Sequence, residues 1–414
     1  MSVYKVSIII PVFNQWALTE QCLRSLRQHT SREDVQVVVV DNGSVDETRQ
    51  ACGVLGRELF GRRFEHVRLE ANINFGPGCN RGAACSEAEY LFFLNNDTLL
   101  TPGWLEPLLA AFEISPRCGA VGPLLLYPEH GRVQHLGVTF TPDNHVRHLY
   151  HYLPGTHPVV HRNRELQAIT GAALLIPTRV FEAAGRFWEE YQNGYEDLDL
   201  SWYVRSQGLS LHCISASRVY HLTSQTSGRF DAEKHNAKVL SRRCRLAFQP
   251  DMHRFAYEDG YELRLTPTLT ANIIKVRPEA EIHDNDMARL WSEIQAEPFW
   301  EAGYERLLGL FFKHRMWSEA RDLLDLQQCF FSTEKVVTDL AKVASRLGDV
   351  DLLASCRRTL EGLRQEAIAK DTLRKFSAIK NWALESGDEV LLGVCRDWES
   401  RLPGSKTRID FPSF

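Results

Sequence analysis

The stretch Leu91-Phe92-Phe93-Leu94 is a short apolar run that stops abruptly at Asn95-Asn96-Asp97. A run of about four to eight apolar residues bounded by polar ones suits a fully buried strand of a parallel sheet. In open α/β sheets, ligands bind at the carboxyl ends of such strands. Oxygen-bearing side chains there suit a divalent cation that in turn holds a phosphate. A polar turn after a strand would carry the same letters, so the signal needs company. Two further runs supply it: Val6–Val12 leads to Asn14, and Val35–Val40 stops at Asp41-Asn42-Gly43-Ser44. Three expected strands therefore end in polar loops on one edge, at Asn14, Asp41 and Asp97. Downstream come the acidic residues Glu196, Asp197 and Asp199, and His221 just after another strand-like run. Acidic residues also favour the dipole in a helix's first turn, and a lone histidine is more often structural than a ligand.

The elements that would position these residues follow from periodicity. Leu18, Cys22, Leu23 and Leu26 have helical spacing between the first two strands. A polar helix from about Asp46, a short strand near Val67–Leu69, the loop Asn72 to Gly78 and a small-residue helix through Ala83 and Ala84 precede the Leu91 strand. This β-α-β-α-β-α-β succession implies an α/β half with a mostly parallel sheet. Between Val121 and Ala168 the pattern breaks into short strands and turns holding seven of the fifteen histidines. A polar, partly mobile loop is expected there rather than a metal site. Thr170–Ile176 reads as a strand, Glu196-Asp197 as part of a helix, and Val219-Tyr220-His221 as the end of a strand. From about Trp291 the patterning is continuously helical. Gly348-Asp349 and Gly387-Asp388 stand at matching points of a weak repeat, which suits either a TPR-like α-solenoid or an ordinary bundle. The expected organisation is a catalytic domain over 1–248, a junction over 249–290 and a helical domain over 291–414.

Composition narrows the class. A hydrophobic fraction of 44% and a charged fraction of 24% over 414 residues are ordinary for globular domains, and a net charge of −5 gives no reason to expect nucleic acid. The basic run Arg242-Arg243-Cys244-Arg245 reads as a solvated helix face, with an anionic headgroup or phosphate as the alternative. The ten cysteines form no CxxC pair and suit reduced thiols. With a strand expected from Val6, no signal peptide is expected ahead of it. No stretch approaches the ~20 consecutive apolar residues of a spanning helix. A cytoplasmic protein is expected, with peripheral association to the inner face of the membrane left open.

One absence is informative. A dinucleotide-binding fold would place GxGxxG after the first strand; here the turn is Pro11-Val12-Phe13-Asn14-Gln15, and no GxxxxGK[ST] loop occurs.

The segments VSIIIPVFN, VVVVDNGSVDET, NINFGPGCNRG, FFLNNDTLLTPGWL, ITGAALLIPTRVFEAAGRF and GYEDLDLSWYVRSQG, with the trailing His221, occur in this order over roughly residues 4 to 248. Together they resemble a family-2 glycosyltransferase, nearest in style to the rhamnosyltransferase-like bacterial branch. The resemblance implies a GT-A fold, a Rossmann-like mixed sheet flanked by helices, here followed by the all-α tail. It implies inverting, metal-dependent transfer from a nucleotide-diphosphate sugar, with Mn²⁺ or Mg²⁺ as cofactor. By motif, Pro11, Phe13 and Asp41 would line the nucleotide pocket. Asn96 would lie on the ribose side, Asp97 and His221 would hold the metal, and Asp197 would be the general base. Asn80 would help to shape the donor pocket, a turn-and-cap role being the alternative.

The sequence departs from the family at three points. Its DxD-like motif, Asn95-Asn96-Asp97, keeps one carboxylate; Asn74 stands where relatives often carry glycine, and Trp188 where they often carry aspartate. The expected function is sugar transfer from dTDP-rhamnose or a UDP-hexose to a hydroxyl of a surface glycan, a lipid-linked glycan or a protein. The helical domain is a candidate surface for a protein partner. The alternatives are a sugar-nucleotide pyrophosphorylase, whose glycine- and arginine-rich loop PVFNQ lacks, and a catalytically silent binding module.

Overall fold

The computed structural model describes residues 3–222, 232–245, 247–277, 286–331, 333–367 and 370–402. Residues 403–414 of the expected helical tail lie outside the described residues. The chain divides into two compact units. The first comprises residues 1–139, 147–151 and 158–249, and the second residues 140–146, 152–157 and 250–414.

The first unit is built on one mixed sheet. In chain order its elements begin with β1 (Tyr4–Val12), α1 (Trp16–His29), β2 (Val35–Asp41), α2 (Thr48–Phe60), β3 (Phe64–Arg68), α3 (Phe75–Ala83), β4 (Ala88–Leu94), β5 (Thr98–Leu100), α4 (Glu106–Ile114) and β6 (Cys118–Leu126). Short strands follow, β7 (Val133–His135), β8 (Val138–Phe140) and β9 (Val146–His148). Then come β10 (Ala173–Pro177), α5 (Thr178–Ala183), α6 (Glu196–Ser206), β11 (Ser210–His221) and α7 (Glu233–Arg243). The strand order is β3-β2-β1-β4-β10-β6-β11-β5, with β7 paired to β6.

The β-branched runs of β1 and β2 are buried on both faces, Ile8, Ile9, Ile10, Val38, Val39 and Val40 at 0–1% exposure, which is what parallel strands covered by helices require. β3, β2, β1 and β4 are parallel neighbours, so their carboxyl ends share one edge. The sheet is less parallel than the sequence pattern suggests, because β10 runs antiparallel between β4 and β6. An antiparallel strand enters the sheet at the edge where its neighbour β4 leaves, and this brings Thr170-Gly171 beside the end of β4. The region from Val121 to Ala168 also differs from the expected polar loop. β6 is buried throughout, and β7 pairs with it and buries His135.

The second unit contains α8 (Met252–Glu258), the hairpin β12 (Glu262–Leu265) and β13 (Ala271–Ile274), and helices α9 (Met287–Ala296), α10 (Glu301–His314), α11 (Trp317–Gln328), α12 (Glu334–Leu347), α13 (Val350–Ala367), α14 (Lys370–Ser386) and α15 (Glu389–Ser400). Helices α9 to α13 each pack on the next in sequence, and α15 packs back on α8 and β12. The repeat seen in the sequence has a geometric counterpart. Arg315, Gly348 and Gly387 all take left-handed φ, and the following N–H bonds the carbonyl five residues back, Met316 to Phe311, Asp349 to Ala344 and Asp388 to Ala383. This is the Schellman helix stop, for which glycine is the least strained residue. Asp349 and Asp388 then accept from Leu352 and Leu391 backbone N–H groups, starting the next helix.

Candidate active site

The ends of β1 and β2 are fastened to each other. Asn14 and Gln15 both take left-handed φ, and the Asn14 side-chain oxygen accepts the Val45 N–H at 2.9 Å while its own N–H donates to Ser44 Oγ at 2.8 Å. Pro11 is buried within β1, and Phe13, just past it, is 41% exposed. Asp41 is fully buried at the end of β2. Its Oδ1 accepts the Ser44 N–H at 2.8 Å and its Oδ2 is paired with Arg68 on β3. Each carboxylate oxygen accepts more than one hydrogen bond, so this pairing fixes the group without exhausting it. Nothing in the sequence marked Arg68, which is legible only once β2 and β3 are in register.

At the end of β4, the Asn95 N–H donates to the Ala172 carbonyl at 2.9 Å, tying this loop to the start of β10. Asn96 donates to Thr19 Oγ1 on α1 at 2.8 Å. Asp97 is 7% exposed and its Oδ1 lies 3.0 Å from Nε2 of His221, the last residue of β11. The two are 124 positions apart in sequence and meet because β11 pairs with β5 directly after the Asp97 loop. Gln134 on β7 determines how His221 faces Asp97. Its amide NH₂ donates to the His221 carbonyl at 2.9 Å, so its oxygen faces Nδ1 and accepts the proton there. With that proton on Nδ1, Nε2 is the ring atom that faces the Asp97 carboxylate, with the Asn95 amide 3.4 Å away. Two lone pairs that face each other call for a cation between them, a proton or a metal ion. Asp97 and His221 thus offer an oxygen and a nitrogen donor of the kind that would hold the divalent cation the resemblance implies. Among the described residues no group of three or more His, Cys, Asp and Glu gathers around one point. Gln134 carried no signal in the sequence, being one polar residue inside a short strand.

The acidic pair opens α6. The three residues before it, Asn193, Gly194 and Tyr195, all have positive φ, of 51°, 154° and 75°. Such a run is strained for the two non-glycine residues and persists only when the surroundings hold it. Here the Asn193 side chain accepts the Phe75 N–H at 2.8 Å. Glu196 is 6% exposed and turns back to accept the Gly194 N–H at 2.7 Å. Asp197 points elsewhere, its Oδ2 accepting the Gly171 N–H at 2.9 Å. Gly171 adjoins Ala172, which bonds Asn95, so Asp197 stands on the same sheet edge as Asp97 and His221. Asp199, one of the acidic residues of the first turn, accepts from Tyr191 Oη at 2.9 Å and is paired with Arg243.

Asn80 is buried, and its amide is spent on the protein. It accepts from Phe187 N–H at 3.1 Å and donates to the Phe187 carbonyl and to Glu189 Oε1 at 2.9 and 3.0 Å. It holds the segment that leads to α6. Two of the three arginines of the basic run are likewise engaged, Arg242 with Glu190 and Arg243 with Asp199.

Behind the edge, His135 accepts the Thr170 N–H at Nε2 (3.3 Å) and faces His148 across 2.6 Å between their Nδ1 atoms. Burial first, then the proximity of His148 and His221, holds the His135 imidazole well below its usual pKa, so the ring is neutral. Its Nδ1 proton is the one shared with His148. Consecutive N–H groups, those of Thr170 and Gly171, are thus pinned by His135 and Asp197. Cys22, which touches Thr98 and the Asn95 carbonyl, is pushed up to about 12 by burial and is an inert thiol.

Residues 7–180 match the model of glycosyl transferase family 2. Over 234 residues the chain is 32% identical to the O-antigen biosynthesis protein RfbC of Myxococcus xanthus, covering 55% of this chain and 18% of that protein. Over 238 residues it is 28% identical to the N-acetylglucosaminyl-diphospho-decaprenol L-rhamnosyltransferase of Mycobacterium tuberculosis, covering 51% of this chain and 73% of that one. This chain therefore spans less than a fifth of the Myxococcus protein. The structure of GalNAc-T7 with UDP, GalNAc and Mn²⁺ overlaps 57% of this chain and 48% of its own, at 16% identity and a TM-score of 0.47.

Proposed function

We propose that the first unit, which belongs to glycosyl transferase family 2 through residues 7–180 and has a GT-A-like fold, moves a sugar from a nucleotide-diphosphate donor to an acceptor hydroxyl with inversion. The observation that carries this reading is the gathering of Asp97, His221 and Asp197 on one sheet edge, each held by a partner of its own. Asp41, fixed by Arg68, and the Pro11–Phe13 turn receive the nucleotide, and Asn96 lies toward its ribose. Asn80, its amide spent on Phe187 and Glu189, takes the holding role rather than a direct donor contact.

In the transfer step the acceptor oxygen bonds to the anomeric carbon from the face opposite the diphosphate. The bond to the diphosphate breaks, and its electron pair departs with the nucleoside diphosphate. The acceptor's proton passes to the Asp197 carboxylate, whose orientation is set by the Gly171 N–H. A divalent ion held by Asp97 and His221 would supply positive charge to the diphosphate as it leaves. The relatives' names support a surface-glycan setting, O-antigen biosynthesis in one case and rhamnosyl transfer to a lipid-diphosphate sugar in the other. dTDP-rhamnose is accordingly the leading donor, and a UDP-hexose the second.

The experiment is incubation of the purified chain with dTDP- and UDP-sugars, following nucleoside diphosphate release and product mass. Release is expected with one donor class, abolished by EDTA and restored by Mn²⁺ or Mg²⁺. Full turnover in metal-free buffer would remove the Asp97–His221 assignment. Absence of release from every donor would contradict the transferase reading.

A further inference from the structure

Trp188 stands in the segment between α5 and α6, 42% exposed, while its neighbour Phe187 is buried at 1%. Single exposed apolar residues are common and need no explanation. What distinguishes this one is that it is immobilised from several sides. The Arg243 guanidinium lies over the indole, 3.7 Å from the ring centroid. The indole N–H donates to Glu190 Oε2 at 3.3 Å, and Glu190 is itself paired with Arg242. The backbone just before it is clamped twice by Asn80 through Phe187. Arg243 in turn is paired with the buried Asp199, which also holds Tyr191 Oη. An exposed indole fixed in this way has lost its rotamer freedom in advance of any ligand, which removes part of the usual cost of binding.

The chemistry of the patch is specific. A flat apolar ring with the Glu190 carboxylate at its indole N–H matches a pyranose, whose C–H face stacks on an aromatic and whose hydroxyls seek acceptors. Around the ring Glu190 is paired with Arg242 and Arg243 with Asp199, so the rim carries balanced charge and suits an uncharged ring. The anchor of the platform is Asp199, on the same helix as Asp197 but on another of its faces. The segment itself reaches this edge through Phe187, whose ring lies 6.0 Å from that of Phe75, which Asn193 holds just ahead of α6. The nucleotide side, at Asp41 and Phe13, lies on strands β1 and β2, on the other side of β4 from β10. We propose that Trp188 is the stacking platform of an acceptor subsite that binds a neutral sugar ring of the glycan to be extended. This rests on the transferase reading above and adds the acceptor's class to it.

The test uses the full chain and two variants, Trp188→Ala and Trp188→Phe. Methyl α-L-rhamnopyranoside and methyl N-acetyl-β-D-glucosaminide serve as probes in saturation-transfer NMR, and donor hydrolysis by water is measured in parallel. Stacking of this kind predicts a roughly 2- to 10-fold loss of probe binding in Trp188→Ala and substantial retention in Trp188→Phe. Donor hydrolysis should be unchanged in both. Equal probe binding by wild type and Trp188→Ala, or no saturation transfer to either sugar in the wild type, overturns the subsite. Loss of hydrolysis together with probe binding overturns it as well, because Trp188 would then support the fold of the catalytic edge. A wild-type chain that hydrolyses no donor would instead overturn the transferase reading.

Discussion

Gln134 is the residue on which the Asp97–His221 pair depends most. It fixes the proton of His221 on Nδ1 and leaves Nε2 to face the carboxylate. Outer partners of this kind commonly carry about 10–100-fold in metal affinity. Gln134→Ala should therefore weaken Mn²⁺ binding by roughly that factor, measured by calorimetry with nucleoside diphosphate present; an unchanged affinity would show that His221 is oriented by something else. His135 has a different consequence. Its folded pKa lies well below 6.5, so below about pH 6.5 the unfolded chain binds a proton that the folded chain does not. Stability must then fall as pH drops through that value. His66, His151 and His253 are shifted the same way, each chiefly by burial, and share the slope. Thermal melts between pH 8 and 5.5 should show a shallower decline for His135→Gln than for the wild type.

Among the elements, the helix stops of the second unit offer the cleanest energetic test. Asp388 caps α15 and also binds His253 and Arg254 at 2.8 Å. Burial alone would raise its pKa, but the hydrogen bonds from His253, the Leu391 N–H and Arg254 outweigh it and hold the carboxyl at about 2. Its contribution to stability is complete above the unfolded carboxyl's value near 3.8 and is lost as pH falls toward about 2. Asp388→Ala should cost about 1–3 kcal/mol at neutral pH in denaturant titration. A loss within a few tenths of a kcal/mol would mean that the cap and the buried pair offset each other.

These stops were visible beforehand as the Gly348-Asp349 and Gly387-Asp388 repeat, because a left-handed C′ and an Asp cap are local requirements written in adjacent letters. The strands β1, β2 and β4 were visible for a similar reason, their β-branched and apolar runs being long enough to name themselves. The antiparallel entry of β10 was not, since pairing direction is decided by contacts far apart in sequence. Arg68, Gln134 and His135 escaped notice for the same cause. Each acquires its role only from a partner on another strand, and none stands in a patterned neighbourhood. Of the seven histidines between Val121 and Ala168, only His135 and His148 lie in strands, each three residues long and too short for a period to show.

At the scale of the whole molecule, the boundary between units does not coincide with a single point in the sequence. Residues 140–146 and 152–157 belong with the second unit although they are flanked by the first. Phe140 and Asp251 illustrate the dependence, the Asp251 carboxylate accepting the Phe140 N–H at 2.8 Å and the Phe140 carbonyl accepting the Asp251 N–H at 3.1 Å. A chain ended at Gln249 would strand these two segments without the residues they pack with. It is expected to melt at lower temperature and to aggregate. A soluble fragment with an undiminished, cooperative melt would contradict that and make the helical region separable.

The central claim is that Asp197 takes the acceptor's proton while Asp97 serves donor and metal. It is tested most directly by measuring kcat and donor affinity side by side for Asp197→Asn, Glu196→Gln and Asp97→Asn. Loss of a general base predicts a fall in kcat of about 10²–10⁴-fold for Asp197→Asn with donor Kd nearly unchanged. Asp97→Asn should weaken metal-dependent donor binding as well as turnover, and Glu196→Gln, whose carboxylate faces its own loop at Gly194, should retain most of its kcat. Near-normal turnover in Asp197→Asn together with its loss in Glu196→Gln would contradict the account and move the base by one residue.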